Sequence, residues 1–353
     1  MHTFRTLLPK FQLPMSSAWL LNAIAEFKGK QELFTHQSPQ VLKALREQAL
    51  VQSVESSNRI EGITVPVARL VPLVLGHARP KDRSEEDLAG YRKALDLIHT
   101  QADDLPVVPE TTLRLHRFCQ EAAGDAGQWK RLDNEIVELE PGQVPRIRFR
   151  CVSAIETPKA MEELCLLYRH FLSQGRVLPL IAMAALVLDF LCIHPFRDGN
   201  GRISRLLMLL ALYHHGYEVG RYLSLERLIE DSREEYYRVL HLSSQGWHQG
   251  RHDFVPWLNY FLGILRRAYD EFAARAGKIK SPRGTKAHLV TQAIQNQPGE
   301  FRLVDIERAC PGVGREWIRV LLADLKAQGE VVCRGRGPAA RWRYLGSKGS
   351  ISK

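Results

Sequence analysis

Two apolar runs, residues 180–193 and 206–212, bracket a stretch of twelve: His194-Pro195-Phe196-Arg197-Asp198-Gly199-Asn200-Gly201-Arg202-Ile203-Ser204-Arg205. A helix that is apolar on every side is stable only when buried on every side. A chain with two of them must build its core around both and hold the intervening stretch at their junction. The first run is preceded by Pro179 and interrupted by Asp189. It is shorter than the ~20 residues that cross a bilayer, so it predicts a core helix and no membrane partner.

The junction has the composition of a phosphate site. Gly199-Asn200-Gly201 allows a tight turn whose N–H groups point one way. The turn leads into a helix start, where unpaired N–H groups and the dipole favour an anion. Arg202 and Arg205 are three apart and share a helix face, each with a planar fork suited to phosphate oxygens. Asp198 beside them would repel phosphates unless a cation bridges the two, the usual task of Mg²⁺. His194 has the titration range of a general base at neutral pH. Together these groups predict phosphoryl or nucleotidyl transfer.

The rest of the chain reads as mainly helical. Residues 1–50 have helical apolar spacing, and 85–100, 109–123, 158–172, 232–242 and 254–276 follow suit. Ser232 with Glu235 three on predicts a capping box. Pro66 and Pro72 predict that 65–75 is broken rather than one helix. Pro141-Gly142 signals a turn. Beyond it, Arg146-Ile147-Arg148-Phe149-Arg150-Cys151-Val152 alternates as a half-buried strand, one arm of a surface hairpin or flap.

No secretion signal is visible, and the six cysteines are scattered without CxxC pairing. Both features predict a cytoplasmic protein with reduced thiols. The net charge of +10 is uneven: residues 277–353 hold fifteen Lys and Arg against six Asp and Glu. Residues 277–284 predict a linker. Residues 285–346 read as three helices and a basic hairpin, the pattern of a winged helix-turn-helix. That pattern makes DNA a candidate partner, through Arg315, Arg319 and the wing residues Arg334, Arg336, Arg341 and Arg343.

The central stretch resembles the signature of the Fic family, His-Pro-Phe-x-Asp/Glu-Gly-Asn-Gly-Arg-x-x-Arg, at every fixed position. The resemblance implies a Fic fold, a helical core with a small hairpin flap. It implies an N-terminal helical region over 1–105, with the inhibitory helix, and a catalytic core over 106–276. It implies protein adenylylation. His194 would deprotonate a Ser, Thr or Tyr hydroxyl of a target protein, and Asp198 would hold Mg²⁺ on ATP. Phe196, Gly199, Asn200, Gly201, Arg202 and Arg205 would form the nucleotide-binding stretch. Doc toxins, which phosphorylate, have Lys where this chain has Gly201, so Gly201 favours AMP transfer. Ser57-Asn58-Arg59-Ile60-Glu61-Gly62 is similar to the family's inhibitory motif. By that match Glu61 would pair with Arg205 and block the γ-phosphate, with Ser57 and Gly62 completing the motif. Gly127-Gln128-Trp129-Lys130-Arg131 resembles the approach to the active site. Arg148, Phe149, Arg150, Cys151 and Val152 match the target-docking flap. Tyr236 and Tyr237 fall in a helix that resembles one lining the adenine pocket. A homodimer is a further implication. The alternatives are removal of AMP from a modified target, and a DNA-binding regulator with the Fic core as sensor.

Overall fold

The computed structural model describes residues 1–35, 39–121, 123–138 and 146–278, then 290–291, 293–295, 297, 299–310, 313–335, 337 and 340–346. The chain divides into two compact units, Met1–Ala276 and Gly277–Lys353. Pro141-Gly142, most of the expected linker, the start of the helix that follows it, and Arg336 lie outside the described residues.

The first unit opens with α1 (Met15–Thr35), α2 (Pro39–Ile60), α3 (Val67–Val74), α4 (Arg83–Gln101) and α5 (Pro109–Cys119). An antiparallel hairpin of β1 (Glu135–Glu138) and β2 (Arg146–Arg150) follows. Then come α6 (Thr157–Ser173), α7 (Pro179–Ile193), α8 (Asn200–His214), α9 (Leu225–Asp231), α10 (Arg233–Ser244) and α11 (Val255–Lys278). The two apolar runs are α7 and α8, and they pack against each other. All of α7 but Pro179 and Leu191 is buried. It also packs on α6 and α10, while α8 packs on α4 and α5.

Asp189, the polar break in the first run, is fully buried and therefore needs partners. One carboxylate oxygen accepts from Thr3 Oγ1 (2.5 Å) and Trp247 Nε1 (2.6 Å). The first ten residues are thus a structural strap across α7, with Phe4 wholly buried.

Three local expectations are corrected. Residues 67–74 form one helix, not a broken segment. Pro66 precedes the first helical residue, where its missing N–H is no loss. Pro72 forfeits one bond inside the helix, but Leu70, Leu73 and Val74 are buried there. The Pro72 carbonyl meanwhile accepts from the N–H groups of His77 and Ala78. The capping box at Ser232 does not form. Because α9 ends one residue earlier, the Ser232 hydroxyl bonds back to Leu228 O (2.8 Å), and Glu235 pairs with Arg238. Finally, α11 continues through Gly277 to Lys278, into the expected linker.

In the hairpin, Ile136 faces Phe149, and a bulge lies between Ile136 and Val137. Phe149 is buried. Cys151 and Val152 lie past the end of β2.

The second unit has its own core, with Ile294, Phe301, Ile306, Ile318, Leu322 and Val331. It contains β3 (Glu300–Phe301), α12 (Leu303–Ala309), α13 (Arg315–Ala327), β4 (Val331–Arg334) and β5 (Arg341–Tyr344). The sheet order is β3-β5-β4, antiparallel throughout. Strand β3 has two residues, too few to show any period in the sequence. Among the described residues, no helix is long and apolar enough to cross a membrane.

Since the α7–α8 pair is the hub, a cavity there should be felt by the whole first unit. Leu210 on α8 is fully buried. Leu210→Ala is expected to destabilise that unit by about 2–5 kcal/mol, read from the urea midpoint. A change below ~1 kcal/mol would contradict close packing at the hub.

Candidate functional site

His194 terminates α7 in the left-handed region, at φ 52° and ψ 61°. Among the described residues it is the one non-glycine with positive φ. That conformation costs an L-residue roughly 1–2 kcal/mol, so the surroundings must hold it. The loop beyond is closed by Asn200, whose amide oxygen accepts from Phe196 N (2.9 Å) and whose NH₂ donates to Phe196 O (2.8 Å). The Phe196 ring is stacked on His116 at 3.8 Å and tilted against Trp129 at 5.1 Å. Gly199, at φ 80°, is the N-cap of α8.

The imidazole of His194 is oriented by its own helix. Nδ1 lies 3.3 Å from Leu191 O. A carbonyl can only accept, so Nδ1 carries the proton and Nε2 keeps its lone pair. Burial, more than any other cause, pushes the His194 pKa down to about 4; Lys130 lowers it further, while Leu191 O, Glu61 and Asp198 oppose. His194 is therefore neutral at pH 7, with Nε2 free to take a proton.

Both arginines of the stretch are buried on α8. Arg202 Nη1 donates to Asp87 (3.0 Å) and Asn58 (3.3 Å). Arg205 is claimed entirely by the end of α2. Its Nε donates to Ser57 Oγ (2.9 Å), and its Nη2 donates to Ser57 O (2.8 Å) and Glu61 Oε1 (2.7 Å). Burial is the largest influence and opposes the Arg205 charge, but Glu61, Tyr236 and Tyr91 together outweigh it and raise the pKa. Its Nη1 has no partner among the described residues. Gly62, at φ 81°, ends the turn that presents Glu61.

Glu61 lies directly over the first turn of α8. A Cβ added to Gly201 would collide with Glu61 Oε1 and come within 3.2 Å of Arg205 Nη1. A carboxylate thus occupies the anion position that the α8 N-terminus and Arg205 create.

Beside it is a cavity of about 260 Å³. Its walls come from the flap (Ile136, Arg148, Phe149), from the end of α7 with His194, from Glu61 and Gly201, and from Tyr236 and Tyr237 on α10. Arg148 spans the mouth, donating to Tyr237 O (2.8 Å) and to His241 Nδ1 (3.1 Å). Arg150 lies outside the cavity, paired with Glu135 at 3.3 Å.

Asp198 is the open carboxylate, its side chain 61% exposed. Oδ1 accepts from Gly199 N (2.6 Å) and Oδ2 from Gln120 Nε2 (3.2 Å). Among the described residues, no three His, Cys, Asp or Glu side chains converge on a metal position. Mg²⁺ needs no such cage, since one or two carboxylates with substrate phosphates and waters suffice. A lone accessible carboxylate next to an anion position fits that requirement.

The structure therefore brings together His194, Asp198, Gly199, Gly201, Arg205, Glu61, Ser57 and both tyrosines. Phe196 stands apart: its ring is core, and only its backbone shapes the loop. The sequence reading missed the roles of Asn58, Asp87, His116, Gln120, Lys130 and Asn134. Asn58 and Lys130 sit inside stretches already singled out. Asp87, His116 and Gln120 carry no local signal, because helix folding alone brings them to the loop.

Residues 106–212 match the Fic/DOC family. This chain carries a Fic segment. Its Fic segment spans α5 to α8, the hub and the loop between. The protein named "Protein adenylyltransferase Fic" of Drosophila grimshawi is 24% identical over 286 residues, 75% of this chain and 54% of that protein. The protein of the same name from Drosophila melanogaster is 24% identical over 245 residues, 67% and 44% of the two chains. The chain thus spans about half the length of the curated relatives it matches. A Fic family protein from Desulfovibrio desulfuricans superposes with TM-score 0.61 at 22% identity, covering 95% of this chain and 98% of its own. A Fic domain containing signaling protein from Bacteroides thetaiotaomicron superposes at 0.62 with 22% identity, over 72% and 97%. The fold is that of Fic proteins.

The ion pair has a stability consequence. Glu61→Gln removes the carboxylate charge and leaves the buried Arg205 with neutral acceptors only. Glu61 is partly exposed, so the loss should fall below that of a fully buried pair, at about 1–3 kcal/mol. The urea midpoint of the first unit should drop accordingly. An unchanged midpoint would mean that Glu61 does not hold Arg205 in solution.

Proposed function

We propose that this chain is a protein adenylyltransferase that moves AMP from ATP to a Ser, Thr or Tyr hydroxyl of a target protein, and that Glu61 restrains it. The observation that carries this reading is the carboxylate of Glu61 lying on Arg205 and over Gly201. An enzyme held off by an anion in its own phosphate position has that geometry. The Fic signature and the names of the curated relatives support the same activity.

In this reading the target hydroxyl donates its proton to His194 Nε2, and its oxygen attacks the α-phosphorus of ATP. The bond from that phosphorus to the α–β bridging oxygen breaks, and pyrophosphate leaves. The N–H groups at the start of α8 and Arg205 bind the phosphate oxygens, with Arg202 held beside them. Asp198 would hold Mg²⁺, whose contribution is to neutralise phosphate charge. Tyr236 and Tyr237 wall the apolar side of the cavity, where the adenine base fits. The flap residues from Arg148 to Val152 dock the target by main-chain pairing along the hairpin edge. The second unit, which carries most of the net charge, is assigned as a winged helix that binds an acidic partner, DNA first.

Glu61→Gly is expected to raise incorporation of labelled AMP from ATP with Mg²⁺, into the protein itself or into a lysate. Adding His194→Ala should lower it by about 10²–10⁴-fold, the worth of a general base. Absence of incorporation by Glu61→Gly contradicts the reading, and release of AMP from an adenylylated target would favour the reverse enzyme.

The pH profile is a second check. A His194 pKa near 4 means the base stays unprotonated well below the usual 6.5. The kcat/KM of Glu61→Gly should therefore stay flat from about pH 8 to about pH 5, where the stronger acid limb of an ordinary histidine would show. A half-loss near 6.5 would contradict a buried, neutral base.

A further inference from the structure

Besides Asn200, one five-residue segment before the flap, residues 130–134, holds the strained turn at His194. Four successive carbonyls, from Ile193 to Phe196, point at it. Lys130 Nζ donates to Ile193 O (3.2 Å), and the Lys130 N–H donates to Pro195 O (2.9 Å). Asn134 Nδ2 donates to His194 O (3.4 Å) and Phe196 O (3.0 Å). Lys130 Nζ also donates to Asn134 Oδ1 (2.6 Å), which fixes the amide so that its NH₂ faces the loop.

Lys130 is itself buried, 5% exposed, which is rare for a lysine. Its contacts to Asn134 and Ile193 are hydrogen bonds to neutral oxygens, and none of the ion pairs formed among the described residues includes it. An ammonium taken out of water without a carboxylate partner is costly and needs compensation. The compensation here is the C-terminus of α7, whose last carbonyls carry partial negative charge. The same ammonium stands close enough to the His194 ring to disfavour a second positive charge there.

We propose that Lys130 is a positioning residue for His194: with Asn134 it locks the catalytic turn in the left-handed conformation and sets an ammonium beside that turn. The proposal rests on the reading of His194 as the base. The side chain does not line the cavity, so it acts through Asn134 and the loop backbone. The groups that face the imidazole are Lys130 from the segment before the flap, Leu191 O from α7, Glu61 from the end of α2 and Asp198 from the loop. Lys130 is the one cation among them. Burial lowers the Lys130 pKa, Cys151 and Asp133 act to raise it, and the ammonium donates to two oxygens, Asn134 Oδ1 and Ile193 O.

The test separates this role from a merely structural one. Full-length protein with Lys130→Met is compared with wild type by histidine-ring NMR titration, with His194→Ala assigning the signal. Loss of the cation and of the clamp should move the His194 titration up toward 6.5, by about one unit or more. In the Glu61→Gly background, Lys130→Met should lower kcat for AMP transfer by about 10–100-fold while KM for ATP changes little. Lys130→Arg, which keeps the charge, should keep the low titration and recover part of kcat. If Lys130→Met fails to fold, the Arg variant and Asn134→Ala carry the test. The amide's loss should lower kcat, and the retained ammonium should keep the titration low. A folded Lys130→Met with an unshifted His194 titration and unchanged kcat overturns the proposal. An upward titration shift in a protein that transfers no AMP would support the positioning role and sink the functional reading instead.

Discussion

The guanidinium of Arg205 is a full charge with almost no access to water, and the structure around the loop is arranged to satisfy it. Ser57 takes two of its donors and Glu61 a third, while one nitrogen has no partner among the described residues. A buried cation needs an anion. The cheapest available anion is the carboxylate at the end of α2, and its position is also that of any phosphate bound at the start of α8. In the proposed function, restraint and substrate binding are therefore two solutions of one electrostatic problem.

That competition needs α2 to be held firmly, because a loosely tethered helix would bring Glu61 to Arg205 only part of the time. Polar latches supply the tether. Ser53 and Tyr91 both bond the buried Glu226 of α9 (2.7 and 3.0 Å), and Arg59 pairs with Glu230 on the same helix. Asn58 reaches Arg202. Glu61 itself lies just past the helix, on a turn ended by a glycine with positive φ. The helix is latched and Glu61 lies beyond its end, so on the proposed function an incoming phosphate has to displace one carboxylate rather than an entire helix.

Much of this was legible in the sequence, and the reason is contiguity. The twelve residues from His194 to Arg205 fall between two apolar runs, so the motif, its loop and its flanking helices could be read from spacing alone. Glu61 was legible only through its resemblance to a motif, since nothing in its spacing points to a partner 144 residues away. What stayed hidden was tertiary. Phe196 reads as part of a binding stretch, but folding turns its ring into the core between His116 and Trp129. Thr3 and Trp247 meet Asp189 from opposite ends of the first unit. Pro72 breaks the local rule for a helix and is overridden by burial. Ser232 has the sequence of a cap and bonds backwards because another helix ends beside it.

The central claim is that Glu61 and the outer phosphates of ATP compete for Arg205. It is tested most directly by calorimetric titration of the catalytically silent His194→Ala protein, with and without Glu61→Gly, using ATP and AMP in turn. Competition for one guanidinium predicts that Glu61→Gly tightens ATP binding by about tenfold or more, roughly 1.4 kcal/mol, and leaves AMP binding unchanged. Equal tightening for both nucleotides, or none for ATP, would contradict it.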